Sequence, residues 1–248
     1  MRLLSYNILH GGRQREEALA AVIRHVNPDL VILQEAERPD AINRIADLAG
    51  MQQFGARPGE SLGFISRDAV AMAVWHKPRV SRHAFLEVVP ADGNWRVFGV
   101  HLAAVHAAWT EQRRLFELRA LLRTIDPDQH GPHVLVGDFN TVAPGELFDT
   151  TRLPVRLRAL VWLSGGGVRY RTIQTVLDAG YRDAFRHLTP DGDGNSFPSP
   201  DPYVRLDYLF LPGDLLPRVT SCTVVRADLA RGASDHLPLV AELESPSG

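Results

Sequence analysis

The sequence predicts an α/β (α+β) fold, and three observations carry that prediction. Apolar runs of strand length alternate with stretches whose apolar residues recur at helical spacing. Polar residues able to do chemistry follow the apolar runs repeatedly. No repeat, low-complexity tract or long linker divides the 248 residues, so one domain spanning 1–248 is expected.

Leu3 to Leu9 reads as a short strand that ends in Asn7 and His10 and breaks at Gly11-Gly12. From Glu16 onward Leu19, Val22, Ile23 and Val26 fall on one helical face, and Asn27-Pro28 stops that helix. Leu30 to Leu33 is a buried strand delivering Gln34 and Glu35. Ile42, Ile45 and Leu48 mark a second helix, closed by Gly50. Strand signals then recur at Leu62–Ile65, Val70–Trp75, Phe85–Val89 and Arg96–Leu102, separated by Pro78, Pro90 and Gly93, and the last carries His101. Glu111 to Ile125 reads as an amphipathic helix through Leu115, Leu118, Leu122 and Ile125, ended by Asp126-Pro127. Val134 to Gly137 is a strand running into Asp138 and Asn140.

Beyond Asn140 the pattern loosens. Arg152, Arg156, Arg158, Arg169 and Arg171 lie in a stretch with no acidic residue, around Gly165-Gly166-Gly167. Thr172 to Ala179 is predicted to be a short helix capped by Thr172 and ended by Gly180. A Gly- and Pro-rich connection from Pro190 to Pro202 precedes the strand Val204–Leu211, which sets Asp207 among apolar neighbours. Val219–Val225 is a further strand, and Ser234–Val240 completes the core.

Composition narrows the classes. With 45% hydrophobic and 23% charged residues the chain reads as soluble and globular. A net charge of -2 and a pI near 6.5 provide no global basic field for indifferent binding to long nucleic acid, although a local basic patch stays open. The lone Cys222 excludes an internal disulfide and any cysteine cluster for zinc. The apolar run at the start is too short for a signal peptide and no stretch has the length of a membrane span, so a cytoplasmic monomer is expected.

Asp138 and Asn140 stand two positions apart, so on an extended backbone they project together from the strand's end. A carboxylate that can orient or deprotonate water, beside an amide that can donate to an anionic oxygen, suits attack on a phosphate or carbonyl. Gly-Asp-x-Asn is by itself also an ordinary turn. Asn7, Glu35, His101, Asp207, Asp235 and His236 occupy comparable places at the ends of apolar runs. Together these carboxylates, imidazoles and amides suit a hard cation such as magnesium.

The ordered set Ser5-Tyr-Asn-Ile8, Leu33-Gln-Glu35, Val100-His-Leu102, Gly137-Asp-Phe-Asn140, Arg205-Leu-Asp-Tyr-Leu-Phe210 and Ser234-Asp-His236 resembles the endonuclease/exonuclease/phosphatase superfamily, which includes deoxyribonuclease I, exonuclease III and neutral sphingomyelinases. Each motif is short, and the signal lies in their common order. The stretch Gln174 to Phe185 and Phe197-Pro198 also look familial. The resemblance implies a four-layer α-β-β-α sandwich of two mixed sheets between helices, and Mg2+- or Mn2+-dependent cleavage of a phosphate ester. It further implies Glu35 as principal metal ligand with Asn7 and Asp235 nearby, Asp138 on the attacking water, and Asn140 on a phosphate oxygen. His236 would pair with Asp207, and His101 would contact the phosphate or assist the leaving group. Either Asp138 or His236 could be the base. Exonuclease III-like members usually differ at Val100-His-Leu102, which sets this chain nearer the deoxyribonuclease I, sphingomyelinase and phosphatase side.

Other readings compete. Arg169 and Arg171 could grip a polyanionic part of the substrate, or lie on a solvated helical face. Gly59-Glu-Ser-Leu-Gly63 matches a nucleophile elbow around Ser61, but Pro58 precedes it and strand-like residues follow. Asp191-Gly-Asp-Gly-Asn195 begins like a calcium loop and then lacks the Gly and the bidentate Glu that such a loop requires. A non-catalytic module binding phosphorylated ligands is a third alternative. The remaining histidines, His83 among them, read as structural. The sequence does not choose among nucleic acid, phospholipid head group, inositol phosphate and a small phosphodiester.

Overall fold

The computed structural model describes residues 1–78, 81, 83–104, 108–125, 131–146, 149–153, 155, 158–159 and 170–245. In chain order its first half comprises β1 (Arg2–Asn7), α1 (Glu16–Val26), β2 (Leu30–Gln34), α2 (Pro39–Ala49), β3 (Gln53–Gly55), β4 (Leu62–Ser66), β5 (Val70–His76), β6 (Phe85–Pro90), β7 (Arg96–His101) and α3 (Ala108–Thr124). There follow β8 (His133–Asp138), α4 (Arg171–Asp178), β9 (Tyr181–Asp183), α5 (Ala184–Leu188), β10 (Asp207–Pro212), β11 (Val219–Val224), α6 (Asp228–Arg231) and β12 (Leu239–Leu243).

The strands form two six-stranded mixed sheets, ordered β11-β12-β1-β2-β4-β3 and β5-β6-β7-β8-β10-β9. Strand alternation divides the interior into layers. Leu3, Leu30 and Ile32 of the first sheet meet Leu86, Val97, Val134 and Leu209 of the second between the sheets, with Cys222 in the same layer. Leu4, Tyr6, Val31 and Leu33 point the other way, onto Leu19, Ile23, Ile42 and Ile45 of α1 and α2. Phe98, Val100 and Leu135 face outward from the second sheet onto Leu118 and Leu121 of α3 and Ile173 and Val176 of α4. The expected four-layer sandwich is therefore observed.

Local chemistry explains the boundaries. α1 has Glu16 and Glu17 in its first turn and Arg24 and His25 in its last, matching the helix dipole, and Asn27 ends it in the left-handed region at φ 53°. α2 starts on Pro39 and ends on Gly50 at φ 71°. Gly137 has φ 148°, and a Cβ there would lie 1.9 Å from the Val100 carbonyl oxygen, so only glycine lets β7 and β8 approach at this point.

One expectation needs correction. α4 begins at Arg171, and Thr172 does not cap it; instead the Thr172 N–H donates to Oε1 of Glu111 on α3 at 2.9 Å. Ser234–Val240 completes the core as expected, with Leu237 buried in the loop and Leu239 and Val240 entering β12. The short β3, β9, α5 and α6 are supported by neighbouring layers and have little periodicity of their own.

Candidate active site

Topology gathers the polar residues. β1 and β2 run parallel, as do β7 and β8, so Asn7, Glu35, His101 and Asp138 all lie at the strands' C-terminal ends. β12 runs antiparallel to β1 and β10 antiparallel to β8, which brings the starts of both strands to that same end. Asp207 therefore pairs with Asp138 across the ladder, and Asp138 also pairs with His101. The loop carrying Asp235 and His236 enters β12 from the same side.

Asp138 is the hub. Its Oδ1 accepts the Asn140 N–H at 2.8 Å, and its Oδ2 accepts Nδ2 of Asn140 at 3.0 Å and Nδ2 of Asn7 at 3.1 Å. Asn140 holds φ 51°, the left-handed conformation asparagine tolerates, and its Nδ2 also donates to the Leu102 carbonyl at 3.0 Å. Nε2 of His236 and Nε2 of His101 stand 3.8 Å and 3.9 Å from the same Oδ2, close enough for charge and too far for a hydrogen bond. Burial raises the Asp138 carboxyl to about 7, with the Asp207 carboxylate adding to it and His236 and the amides opposing it.

His236 is fixed from its other nitrogen. Nδ1 lies 2.8 Å from Oδ2 of Asp207, which also accepts the Ser196 hydroxyl at 2.6 Å. Phe197 covers the imidazole with ring centroids 4.8 Å apart. Burial works against the imidazolium, but the Asp207 and Asp138 carboxylates outweigh it and lift the group to about 10. With Nδ1 committed to Asp207, Nε2 is the nitrogen presented to the site.

Glu35 differs in kind. It follows β2 at φ 58°, a strained conformation for a glutamate, and its side chain is 23% exposed. Oε1 accepts Nδ2 of Asn7 at 3.3 Å and Oε2 accepts the His10 N–H at 2.6 Å. Among the described residues no Lys or Arg pairs with it; His10 Nδ1 lies 3.6 Å away. Asn7 Oδ1 accepts the Leu9 N–H at 3.1 Å. Asp235 is half-buried, and Ser234 links it to this edge by donating to the Asn7 carbonyl at 2.7 Å while lying 3.4 Å from Asp235 Oδ1. No three His, Cys, Asp or Glu side chains surround one point among the described residues. A hard cation bound through one or two carboxylates and completed by water needs no such cage, and the uncompensated, partly exposed Glu35 beside amide groups fits it.

The structure thus unites Asn7, Glu35, His101, Asp138, Asn140, Asp207 and His236. Arg171 is exposed at the start of α4 and is not among the side chains that touch Asp138, Glu35 or Asp207, while Arg169 lies outside the described residues. Ser61 is buried, its hydroxyl has no hydrogen-bond partner among the described residues, and strand β4 follows it where an elbow requires a helix. In the Asp191–Asn195 stretch, Asp193 accepts the Asn195 N–H at 2.8 Å and pairs with Arg226 at 3.1 Å, a local turn. Sequence reasoning missed Ser196 as a partner of Asp207, and missed His83, whose ring stacks on His101 at 5.1 Å. The only available signal for His83 was its place just before β6, whose start lies at the site end because β6 is antiparallel to β7.

Comparison with known proteins agrees with this geometry. Residues 4–236 match the model of the Endonuclease/Exonuclease/phosphatase family. No curated protein matches the sequence. Among solved structures, an AP endonuclease from Archaeoglobus fulgidus is similar with a TM-score of 0.74 at 18% identity, covering 98% of this chain and 99% of its own. The 3'-5' exonuclease NExo from Neisseria meningitidis gives 0.73 at 18%, covering 98% and 100%. Humanized D. rerio TDP2 gives 0.66 at 19%, covering 97% of each chain. These identities establish a shared fold. The family match runs from β1 to His236 and encloses every residue of the cluster, so the chain belongs to the Endonuclease/Exonuclease/phosphatase family.

Proposed function

We propose that the protein is a divalent-metal-dependent phosphoesterase that cleaves a phosphodiester or phosphomonoester by in-line attack of water. The observation that carries this reading is the convergence of Asp138, His236 and His101 within 3.9 Å, with Asp207 fixing the far side of His236. In-line displacement at phosphorus requires an oriented water, donors for the equatorial oxygens and neutralisation of developing charge. Asp138, held on both oxygens by amides, orients the water and can accept its proton. His236 presents Nε2 to a phosphoryl oxygen, and Asp207 fixes its tautomer. His101, on the leaving-group side, supplies a further donor, and Asn140 supplies another by turning one Nδ2 hydrogen from Asp138 or Leu102 to the phosphate. Glu35 would hold Mg2+ or Mn2+, with Asn7 and Asp235 beside it, and the ion would supply charge neutralisation at the phosphate.

The neighbours in fold include a 3' phosphatase, NExo from Neisseria, described in complex with a product DNA hairpin. That places nucleic acid in a test panel beside sphingomyelin, inositol phosphates and bis-p-nitrophenyl phosphate, each assayed with magnesium and manganese. We expect turnover of at least one ester, abolished by Glu35→Ala and by chelation. Binding of phosphorylated ligands without any metal-stimulated turnover would refute the enzyme and leave a binding module.

A further inference from the structure

Helix α3 is partly inside out. Its two acidic residues, Glu111 and Glu117, and Arg114 are each 1% exposed, whereas Trp109 is 60% and Phe116 47% exposed. The buried charges fasten the helix to the active-site end. Arg114 Nη1 donates to the Ala103 carbonyl at 2.8 Å, and Glu117 Oε2 accepts the Ala103 N–H at 3.4 Å, two residues past His101. Glu117 also accepts the Ser81 hydroxyl at 3.3 Å, beside the segment that bears His83. Glu111 holds the first turn of α4 through Thr172. Buried charges in these numbers are costly unless paired, so the first half of α3 is built to be locked in this position.

The outward face has the opposite composition. Trp109, Arg113 and Phe116 follow one another at i, i+4 and i+7, Arg113 being paired with Glu117 at 3.2 Å, and the exposed Arg119 and Arg123 continue the stripe as its guanidinium groups. It contains no acidic side chain, since both acidic residues of the helix are buried. Large rings left in water on a rigid helix mark a surface meant for a partner. Where rings and arginines interleave on one face, the rings can stack on bases while the guanidinium groups meet phosphates. Seven residues of helix separate the rings by about 10 Å at about 1.5 Å per residue, close to three nucleotides at about 3.4 Å each. A membrane-lying helix instead segregates its apolar and cationic faces, and here the face opposite the arginines is already occupied by the second sheet. A second copy of the same stripe would bring arginine against arginine.

We propose that the outer face of α3 is a docking surface for an unpaired nucleic-acid strand, which it leads toward His101. This names a substrate class for the site described above and rests on the phosphoesterase reading. The overall charge of -2 is no obstacle, because the stripe is local.

The test is fluorescence anisotropy with a labelled oligothymidylate in EDTA, so that binding is read without cleavage. Wild-type protein should bind the strand more tightly than the corresponding duplex. Trp109→Ala and Phe116→Ala should each weaken binding by at least about fivefold, from about 1 kcal/mol or more per stacked base. Arg119→Gln and Arg123→Gln should each flatten the salt dependence by about one ion. All four variants should retain wild-type hydrolysis of bis-p-nitrophenyl phosphate, which is too small to reach the stripe. The proposal is overturned if the ring variants bind the strand as wild type does, or if duplex is preferred. It also fails if Trp109→Ala abolishes binding to anionic phospholipid vesicles or self-association in sedimentation while strand binding is untouched. Turnover of the small diester without strand binding would refute the surface alone. Strand binding without turnover of any ester would refute the enzyme alone.

Discussion

The two sheets contribute unlike halves to the site. From the second sheet come Asp138, Asn140, Asp207 and His101, whose carboxylates are buried and held by amide, hydroxyl and imidazole groups at 2.6–3.1 Å. From the first come Asn7 and Glu35, where the carboxylate is partly in solvent, the backbone is left-handed and, among the described residues, no Lys or Arg is paired with it. The first arrangement is largely preorganised: Asp138 is held on both oxygens, and Asp207 Oδ2 meets Ser196 and the His236 that precedes β12 of the first sheet. On the proposed reading the second is the half that a cation would complete. The comparison separates a part of the site that folding preorganises from a part left partly open to solvent.

The division ranks the variants in a definite order. Glu35→Ala should abolish metal-stimulated turnover and leave thermal stability nearly unchanged without metal, since Glu35 is partly exposed and unpaired with Lys or Arg; a large loss of Tm in the metal-free protein would make Glu35 structural. Asp207→Asn should lower kcat by about 10²–10⁴-fold, the range for disabling a general acid–base partner, with a much smaller change in KM. Equal losses in kcat and in substrate affinity would move Asp207 to a structural role. Ser196→Ala should lower kcat about tenfold, from about 1.5 kcal/mol for a hydrogen bond to a charged group; unchanged kinetics would show that Asp207 holds His236 without it. Gly137→Ala should destabilise the fold by about 1–3 kcal/mol or more through overpacking against Val100, read as a fall in Tm and a loss of activity in proportion to folded protein. Arg171→Glu should raise KM less than about fivefold with kcat intact, as suits an exposed charge, and an unchanged KM would remove it from substrate binding.

The second sheet's half was also the more legible in sequence. Asp138 and Asn140 announce themselves by two-residue spacing after an apolar run, and Asp207 by sitting where an unpaired carboxylate would be costly. The long strands and α1 and α2 follow their periodicity closely, because each buries one face against one neighbour. α3 was legible as a helix and misread as a simple amphipathic one. Its inner face meets backbone groups of Ala103 and Thr172 as well as apolar side chains, so charges are buried there and rings are displaced outward. Ser196 and His83 were illegible for a related reason. Their importance comes from contacts with Asp207 and His101, made by separate segments of chain.

Cys222 gives the inter-sheet layer a clock. It is the sole thiol in the chain, 1% exposed, and burial pushes its ionisation far upward, so a thiol reagent meets no thiolate while the sheets stay together. The rate of its labelling in native buffer therefore measures how often the edge strand β11 lifts from the inter-sheet layer. A metal that bridges no layers should leave that rate alone, whereas one that draws Glu35 toward Asp138 would slow it, reporting on the joint between the two halves without any substrate at all.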